Sequence, residues 1–419
     1  MPRATREPRA AGRRHAPRTG GAPGRLGAAA GGPAANGRDL DFGAGRRVAG
    51  RAPAAATAIG RKDPVTPMRA DVVIAGGGFA GASTAFWLSR AARLQVVVVE
   101  REAICGVHAS GRNAALGRQV TEHDAFTAVA VRGATWLRRP PPDLADRPLV
   151  SGCGSLLVAS REATLARLVA TAHRFGVPAE RVPPAAVRAR WPLLDATPMV
   201  GAVWFPTDGV IDIHALLAGL LAGARSRGVR VETGCEVLGC RPAGDGVRVE
   251  TSKGPIDARC LVVAAGAWAE PVGAAAGGRA RFDPVLRHLH VTEPLADVPA
   301  DAPFAWHVDD EFYVRPESGA CLVSACDETV VAPHDPVPSP AALSVLADKL
   351  ARMAPRLVEY GIARTWACLR TFSRDGGPLV AWDDRAPWLF WVAGLGGHGA
   401  TASVAIGRDA AAALAARLA

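Results

Sequence analysis

Three glycines and one acid carry the clearest chemical signal in this chain. Gly76, Gly78 and Gly81 lie between two apolar runs, and Glu100 follows the second run. This spacing is typical of a turn that brings backbone close to a pyrophosphate, at the positive N-terminus of a helix. A carboxylate after the second strand accepts hydrogen bonds from a ribose and disfavours the 2′-phosphate of NADP. The pattern predicts a dinucleotide site; the alternative is a chance glycine turn in an ordinary strand–helix–strand unit.

The elements that must position this motif recur at intervals along the chain. Asp212 is the predicted N-cap of a helix over 213–226, and several antiparallel strands are predicted within 281–330. A helix is expected at 340–358, a strand at 365–372 and a C-terminal helix at about 401–418. Nucleotide-binding pieces therefore alternate with a second domain. We place the nucleotide-binding pieces at 68–130, 205–270 and 365–419. The second domain then comprises 131–204 and 271–364.

The 419 residues divide by composition near residue 67. Residues 1–67 are rich in Ala, Arg, Gly and Pro, and their 13 Lys and Arg against 4 Asp and Glu hold most of the net charge of +10. We expect disorder here because the segment cannot bury enough apolar surface. We interpret it as sequence ahead of a true start at Met68; a nucleic-acid arm and a targeting peptide are the alternatives.

The remaining residues suit two joined domains. No apolar run reaches the roughly 20 residues that cross a membrane, and the short run 217–221 predicts a buried helix. The 8 cysteines lack zinc-site spacing, so no metal is predicted. Without a visible secretory signal, a reduced cytoplasmic setting is the default expectation, with peripheral membrane association left open.

Seven motifs in one order give a family resemblance. They are GGGFAGASTAFWLS, ASGRNAA, DGVIDIHAL, LVVAAGAWA, FYVRPESG, WACLRTFSRDGGPLV and GLGGHGATASVAIG. The series resembles the D-amino-acid oxidase superfamily of FAD enzymes, in its glycine-oxidase and D-amino-acid-dehydrogenase branch, with D-arginine-dehydrogenase-like proteins nearest. The resemblance implies an α/β fold. A Rossmann-like FAD-binding domain of the glutathione-reductase type would be interleaved with an α+β antiparallel-sheet substrate domain.

The resemblance also implies which residues contact FAD. The loop 394–401 opens a helix whose dipole stabilises negative charge on a reduced flavin. The plainer alternatives are an ordinary polar turn for 110–113, a core valine for Val237, a bare strand-end glycine for Gly266 and a structural histidine for His398. Cys368 aligns with a flavin-linking cysteine of sarcosine-oxidase relatives, but we favour non-covalent FAD because buried cysteine is ordinarily a small hydrophobe. The implied cofactor residues are Gly76, Gly78, Phe79, Ala80, Gly81, Glu100, Arg101, Ser110, Gly111, Arg112, Asn113, Val237, Gly266, Gly396, Gly397, His398 and Gly399.

On the substrate side, the resemblance implies Arg370, Tyr313 and Arg287. A guanidinium matches an amino-acid carboxylate in a bidentate way, and Tyr313 is one of only 2 tyrosines in the chain. A surface salt bridge is the alternative for each arginine. The family pattern departs at Leu116 and Thr121, where a histidine and a tyrosine are expected. This departure weakens D-arginine as substrate and admits neutral, N-methyl or cyclic imino acids.

The implied reaction is oxidation of a C–N bond by hydride transfer to the flavin, giving an imine and then a 2-oxo acid and ammonia. The electron acceptor is a quinone or O₂. Sarcosine-oxidase relatives activate O₂ with a lysine near the flavin, whereas Lys62, Lys253 and Lys349 lie off the flavin motifs. We therefore favour a dehydrogenase without a nucleic-acid partner. A tRNA-modifying flavoprotein and a non-catalytic flavoprotein subunit are the alternatives.

Overall fold

A computed structural model describes residues 67–296 and 298–419. The segment 1–67, for which disorder is predicted and which contains Lys62, lies outside the residues described by this model, except for residue 67 itself. Its helices are α1 (Phe79–Ala91), α2 (Asp124–Arg138), α3 (Glu162–Arg174), α4 (Pro184–Arg190), α5 (Ile213–Arg225), α6 (Ala269–Ala275), α7 (Pro340–Met353) and α8 (Gly399–Leu418). Its strands are β1 (Met68–Ala75), β2 (Val96–Val99), β3 (Ser155–Ala159), β4 (Glu180–Val182), β5 (Gly201–Phe205), β6 (Arg230–Glu232), β7 (Val237–Ala243), β8 (Gly246–Thr251), β9 (Gly254–Val263), β10 (Phe282–Thr292), β11 (Phe304–His307), β12 (Phe312–Glu317), β13 (Ala320–Ser324), β14 (Thr329–Val330), β15 (Ile362–Ser373), β16 (Leu379–Trp382) and β17 (Leu389–Ala393).

The first sheet has a parallel centre. Its order is β16-β17-β9-β1-β2-β6, with β7 and β8 attached beside β9. β1 pairs in parallel with both β2 and β9. The four valines of β2 are all buried, as is typical of strands covered on both faces. α1 packs against α5 and α8 on this sheet. The predicted Rossmann-like unit is therefore confirmed.

The second sheet is mainly antiparallel. Its order is β14-β10-β13-β12-β11-β3-β5-β4, and β15 also pairs with β10. The β11–β3 pair is parallel. The antiparallel layer predicted over 281–330 is confirmed by the pairing of β10, β12 and β13. Both sheets belong to one compact unit of the described chain.

The structure places β15 in the second sheet, although the sequence groups 365–372 with the nucleotide-binding pieces. The reason is a long antiparallel ladder with β10, in which Arg370 opposes Val285 and Cys368 opposes Arg287. Nothing local to β15 encodes a partner some 80 residues earlier in the chain. As a consequence, Arg370 is held by the substrate-side sheet.

Local signals set the start of α5 and the end of α7. Asp212 accepts a hydrogen bond from Ala215 N at 2.9 Å, so the predicted N-cap of α5 is confirmed. α5 buries Leu220 and Leu221, as the run 217–221 predicted for this helix. α7 ends at Met353 rather than 358, because Pro355 cannot donate a backbone hydrogen bond and begins a separate 3₁₀ turn. Within the described residues, no helix has the length and apolar character needed to cross a membrane.

Candidate active site

A large cavity lies beyond the carboxyl ends of the central parallel strands. The residues that end or follow β1, β2, β9 and β17 all line it, namely Ala75, Val99, Ala264 and Ala393. This is the edge at which open α/β sheets bind ligands. The cavity encloses about 1400 Å³ of empty space including its open mouth.

The glycine turn after β1 is built by close backbone approach. Gly76 has φ +109°, and a Cβ there would lie 2.4 Å from Ala264 O. A Cβ on Gly81 would lie 1.9 Å from Gly76 O, so only glycine lets α1 pack at this distance. Gly78 is the N-cap of α1 and provides no side-chain cap. The helix therefore presents backbone N–H groups and its positive end to the cavity.

Glu100 fastens this turn to the loop that follows β2. Its Oε2 accepts from Gly77 N at 2.8 Å, and its Oε1 accepts from Glu102 N at 2.9 Å. Ser110 makes a second link, because its Oγ accepts from Phe79 N at 2.9 Å. Glu100 and Ser110 thus fix the shape of the glycine turn after β1, and both residues line the cavity.

Most predicted cofactor residues line this cavity, but three do not. Gly81 and Gly111 lie behind the wall, where a Cβ on Gly111 would approach Gly106 O to 2.5 Å. Both are packing glycines. His398 lies on the lining of a second cavity instead, because it is the N-cap of α8 and its ring points to Phe126. Contact of the lining residues with a cofactor stays a prediction.

The glycine-rich loop before α8 separates the two cavities. Gly394, Gly396 and Gly397 have φ of +72°, +53° and +84°, which other residues rarely adopt. Gly396 N donates to Thr371 O at 2.8 Å, which ties the loop to β15. α8 then starts at Gly399 without a side-chain cap. A second helix N-terminus therefore faces the first cavity, through Gly399.

The second cavity lies on the second-sheet side and shares part of its wall with the first. Asn113, Arg370, Gly396, Gly397 and Ala400 line both. It encloses about 1090 Å³ of empty space including its mouth. The structure brings the predicted substrate residues together here, since its lining contains Arg370, Tyr313 and Arg287.

The three arginines of the second cavity differ in their partners. Arg118 Nη2 donates to Glu122 Oε1 at 2.6 Å, and Arg287 Nη2 donates to Glu328 Oε1 at 2.5 Å. In the described part of the chain, Arg370 has no carboxylate partner; its Nη1 reaches only Gly397 O, at 3.5 Å. Arg370 is therefore the guanidinium of this cavity that is available to an anion.

Two titratable groups near Arg370, His398 and Tyr313, stay uncharged at neutral pH. Burial, assisted by the Arg118 guanidinium, lowers the pKa of His398 to about 3. Burial also raises the pKa of Tyr313 to about 12. For Glu122, burial acts to raise the pKa, but the nearby Arg118 outweighs it and the pKa falls to about 2. At neutral pH, His398 and Tyr313 are neutral, and the Arg118–Glu122 pair is charged on both sides.

Comparison with known proteins decides the family. The family model described as DAO, FAD dependent oxidoreductase, matches residues 71–413. The chain belongs to the DAO family of FAD-dependent oxidoreductases. Sarcosine oxidase subunit beta from Rhizobium meliloti (strain 1021) is 29% identical over 334 residues, covering 76% of this chain and 77% of that protein. Mitochondrial sarcosine dehydrogenase from Homo sapiens is 28% identical over 269 residues, covering 61% and 29%. The chain thus spans less than a third of that relative's length.

Solved structures share the fold of this DAO-family chain. L-proline dehydrogenase from P. horikoshii superposes with a TM-score of 0.74 at 24% identity, covering 83% of this chain and 93% of that one. Glycine oxidase from Geobacillus kaustophilus gives a TM-score of 0.72 at 23% identity, covering 83% and 95%. At these identities the likeness shows the fold, and it confirms the predicted FAD-binding architecture.

The first cavity fits FAD, the cofactor of the family. Two helix N-termini whose own N-cap residues provide no side-chain cap, and a close-packed glycine turn, face it, and these suit a pyrophosphate. A Cβ on Gly266 would meet nothing within 4 Å, so this strand-end glycine leaves the cavity wall open. Cys368 also lines the cavity and is buried, with 1% of its surface exposed. Non-covalent FAD, typical of the family, remains the expectation here.

Several lining residues of the second cavity were not found from the sequence. Leu116 does line it, whereas Thr121 is buried behind the wall and bonded to Thr127 Oγ1. Backbone conformation marks this cavity in a way that the sequence does not. Three of the four non-glycine residues with positive φ in the described chain line it. Such strain gathers at functional sites. Those three are Ala115, Glu311 and Cys326; the other lining residues that sequence analysis missed include Arg118, Glu122, Phe126, Trp306, Glu328 and Phe372.

Proposed function

We propose that this chain oxidises the carbon–nitrogen bond of an amino acid. The substrate classes are a D-amino acid, glycine, an N-methyl amino acid or a cyclic imino acid. One observation carries the proposal: the unpaired guanidinium of Arg370 lies on the wall shared by the FAD cavity and the second cavity. A carboxylate bound there places its α-carbon beside the cofactor cavity. Proximity of this kind contributes much of the rate in such reactions.

Arg370 binds and orients the substrate in this proposal. Its planar fork accepts both oxygens of a carboxylate. Neutral His398 does not compete with Arg370 for the substrate anion, and the buried hydroxyl of Tyr313 completes the pocket from β12. Bound FAD supplies the hydride acceptor. The oxidised substrate is an imine, which water hydrolyses to a 2-oxo acid and, for a primary amine, ammonia.

Arg287 has a different role from the one that the resemblance implies. Its guanidinium is engaged by Glu328 and by Asp327 O at 3.0 Å, and only 8% of the residue is exposed. A guanidinium already paired in this way has less to offer a second carboxylate. We propose that Arg287 holds the cavity wall and that Arg370 alone binds the substrate carboxylate.

The electron acceptor is proposed to be a quinone or a similar carrier rather than O₂. Neither Lys253 nor Lys349 lines the FAD cavity or the second cavity. Lys349 Nζ instead donates to backbone oxygens, including Asp310 O at 2.6 Å and Ala325 O at 2.9 Å. Lys253 lies 3.7 Å from Glu232. Peroxide formed in equal amount to the substrate consumed would contradict a dehydrogenase.

The deciding experiment is anaerobic bleaching of the yellow flavin band by a panel of D-, N-methyl and cyclic imino acids. Arg370→Leu is expected to raise KM for the active substrate by on the order of 100-fold with FAD still bound, because a charged hydrogen-bonded pair is lost. Arg374→Leu is the matched control, since Arg374 directly follows β15 and pairs with Asp283 at the surface. An unchanged KM in Arg370→Leu would refute the proposed role.

A further inference from the structure

His398 lines the second cavity with an unengaged imidazole. It caps α8 through its backbone, because His398 O accepts from Ala402 N at 2.9 Å while the side chain makes no cap hydrogen bond. Within the described part of the chain, neither ring nitrogen of His398 forms a hydrogen bond, and neither is among the unpartnered polar atoms that are sealed from solvent. Both ring nitrogens are therefore accessible to a ligand of the second cavity.

The imidazole of His398 lies beside the guanidinium that binds the substrate carboxylate in the proposed function. Arg370 Nη1 is 3.5 Å from Gly397 O, the carbonyl oxygen of the peptide bond that leads to His398. On its other side the imidazole packs on Phe126, with ring centroids 4.8 Å apart. In an α-amino acid, a single carbon joins the amine to the carboxylate. A substrate held by Arg370 therefore has its nitrogen close to the wall that includes His398.

Other side-chain oxygens of the second cavity suit an uncharged amine less well. Glu122 and Glu328 are each paired with an arginine of the cavity wall. Asn113 Oδ1 already accepts from Ala115 N at 2.7 Å. The imidazole of His398 has no such competing partner in the described chain. It is therefore the side chain of this wall that is best able to accept a hydrogen bond from the substrate.

A neutral acceptor also matches the reacting form of the amine. Loss of hydride from the α-carbon uses the nitrogen lone pair, so the amine reacts without charge, whereas a carboxylate such as that of Glu311 would favour the ammonium form. Burial lowers the pKa of His398 to about 3, so the ring accepts an N–H hydrogen bond without taking up the proton. Because neither ring nitrogen is engaged, each tautomer offers an acceptor.

We propose that His398 binds the amine of the substrate by accepting a hydrogen bond from its N–H, while Arg370 holds the carboxylate. This inference rests on the proposed function and extends it from the carboxylate to the nitrogen. It also narrows the substrate class. An uncharged primary amine, N-methyl amine or cyclic imino acid keeps an N–H, whereas an uncharged tertiary amine has none. His398 therefore selects primary and secondary amino acids over their fully N-methylated forms.

The N–H preference of the FAD-loaded enzyme tests this. It is the ratio of kcat/KM for the amino acid that bleaches the flavin fastest to kcat/KM for the tertiary, N-methylated form of that amino acid. His398→Phe keeps a ring against Phe126 but removes the acceptor. We expect kcat/KM for the N–H substrate to fall about tenfold, and that for the tertiary amine to stay within about twofold. His398→Gln retains an accepting amide oxygen and is expected to keep the preference within about threefold of wild type. His173→Phe, at an exposed position of α3, is the matched control and keeps the wild-type values.

Two kinetic results would overturn the inference. An equal fall for both amines in His398→Phe would indicate a structural or carboxylate-binding role, and unchanged values for both would show that the ring does not contact the amine. If KM depends on Arg370 but the N–H preference survives in His398→Phe, only this inference is refuted. A chain that oxidises no amino acid refutes the proposed function and this inference with it.

A measurement on the wild-type enzyme does not depend on the folding of a variant. In protein with ¹⁵N-labelled histidine and reduced flavin, a ring nitrogen of His398 is expected to shift when the amino acid is added. The carboxylic acid that carries hydrogen in place of the amino group is expected to leave this resonance unmoved. Equal shifts with the two ligands, or no shift with either, would contradict the hydrogen bond to the amine.

Discussion

The two cavities of this chain are built by different means. The FAD cavity is shaped by backbone: glycines at close approach, two helix N-termini and the ends of parallel strands. The second cavity is shaped by side chains from distant segments, with Arg118, Arg287 and their acids in its wall. The first needs particular residues at fixed spacing, whereas the second needs charges to meet across the fold. Steric changes should therefore damage the first most, and charge changes the second.

We expect the largest effect from Gly81→Ala, which disturbs the backbone that shapes the FAD cavity. The added methyl group would lie 1.9 Å from Gly76 O, and the neighbouring atoms are backbone that cannot swing away. Overpacking of this kind costs about 3 kcal/mol, and we expect FAD binding to be lost with it. Gly239→Ala in β7 is the matched control, because a Cβ there meets nothing within 4 Å. FAD content and Tm measure both. Full FAD occupancy in Gly81→Ala would show that the turn tolerates a wider approach.

The same difference explains how far the sequence could predict this protein. The spacing of Gly76, Gly78 and Gly81 predicts the glycine turn after β1, because this turn is determined by one short segment of the sequence. The partner of Arg287 is Glu328, which lies 41 residues away, and only folding brings the two together. Nothing in the sequence distinguishes this paired arginine from the unpaired Arg370.

The place of His108 in the cavity wall and the sheet that contains β15 were missed for a related reason. His108 follows the second strand by several residues and looks like an ordinary loop histidine until the fold places it in the cavity wall. β15 joins the second sheet only through its ladder with β10. Motif order predicted the family and both sheets, whereas the pairing of side chains and strands over long range did not follow from it.

A buried acid near the second cavity, Asp208, should make the free energy of unfolding depend on pH. Asp208 is 1% exposed and accepts from Ser155 Oγ at 2.7 Å and from Gln119 N at 3.1 Å, which anchors the segment carrying Arg118. Burial raises the pKa of Asp208 from 3.8 to about 6. The folded protein thus holds this proton more tightly than the unfolded chain. Its contribution to stability is fullest below pH 4 and falls as the pH rises to about 6.

Asp208→Asn removes this titration. Between about pH 4 and pH 6, we expect the free energy of unfolding of wild type to fall by on the order of 3 kcal/mol relative to that of the variant. Urea unfolding at each pH measures this difference. Asp309→Asn is the matched comparison of opposite sign. The Asp309 carboxylate accepts from Arg161 and Thr164, and these bonds outweigh its burial and lower its pKa. Wild type should therefore gain stability on that variant as the pH rises to about 4, and should keep that gain unchanged from about pH 4 to pH 6. Parallel pH profiles for wild type and Asp208→Asn would contradict the expected titration.

Cys368→Ala gives the smallest expected effect and tests where the two cavities meet. Cys368 lines the FAD cavity from β15, yet it packs in an apolar cluster with Leu289, Tyr313 and Leu322. A thiol in these surroundings acts as a small hydrophobe. We expect the same FAD content in wild type and variant, and the yellow colour in the supernatant after acid precipitation of each. Colour that stays with precipitated wild type but leaves the variant would instead show a thioether link. In that case a side chain of the substrate-side sheet would hold the cofactor, and the division between backbone-built and side-chain-built cavities would no longer stand.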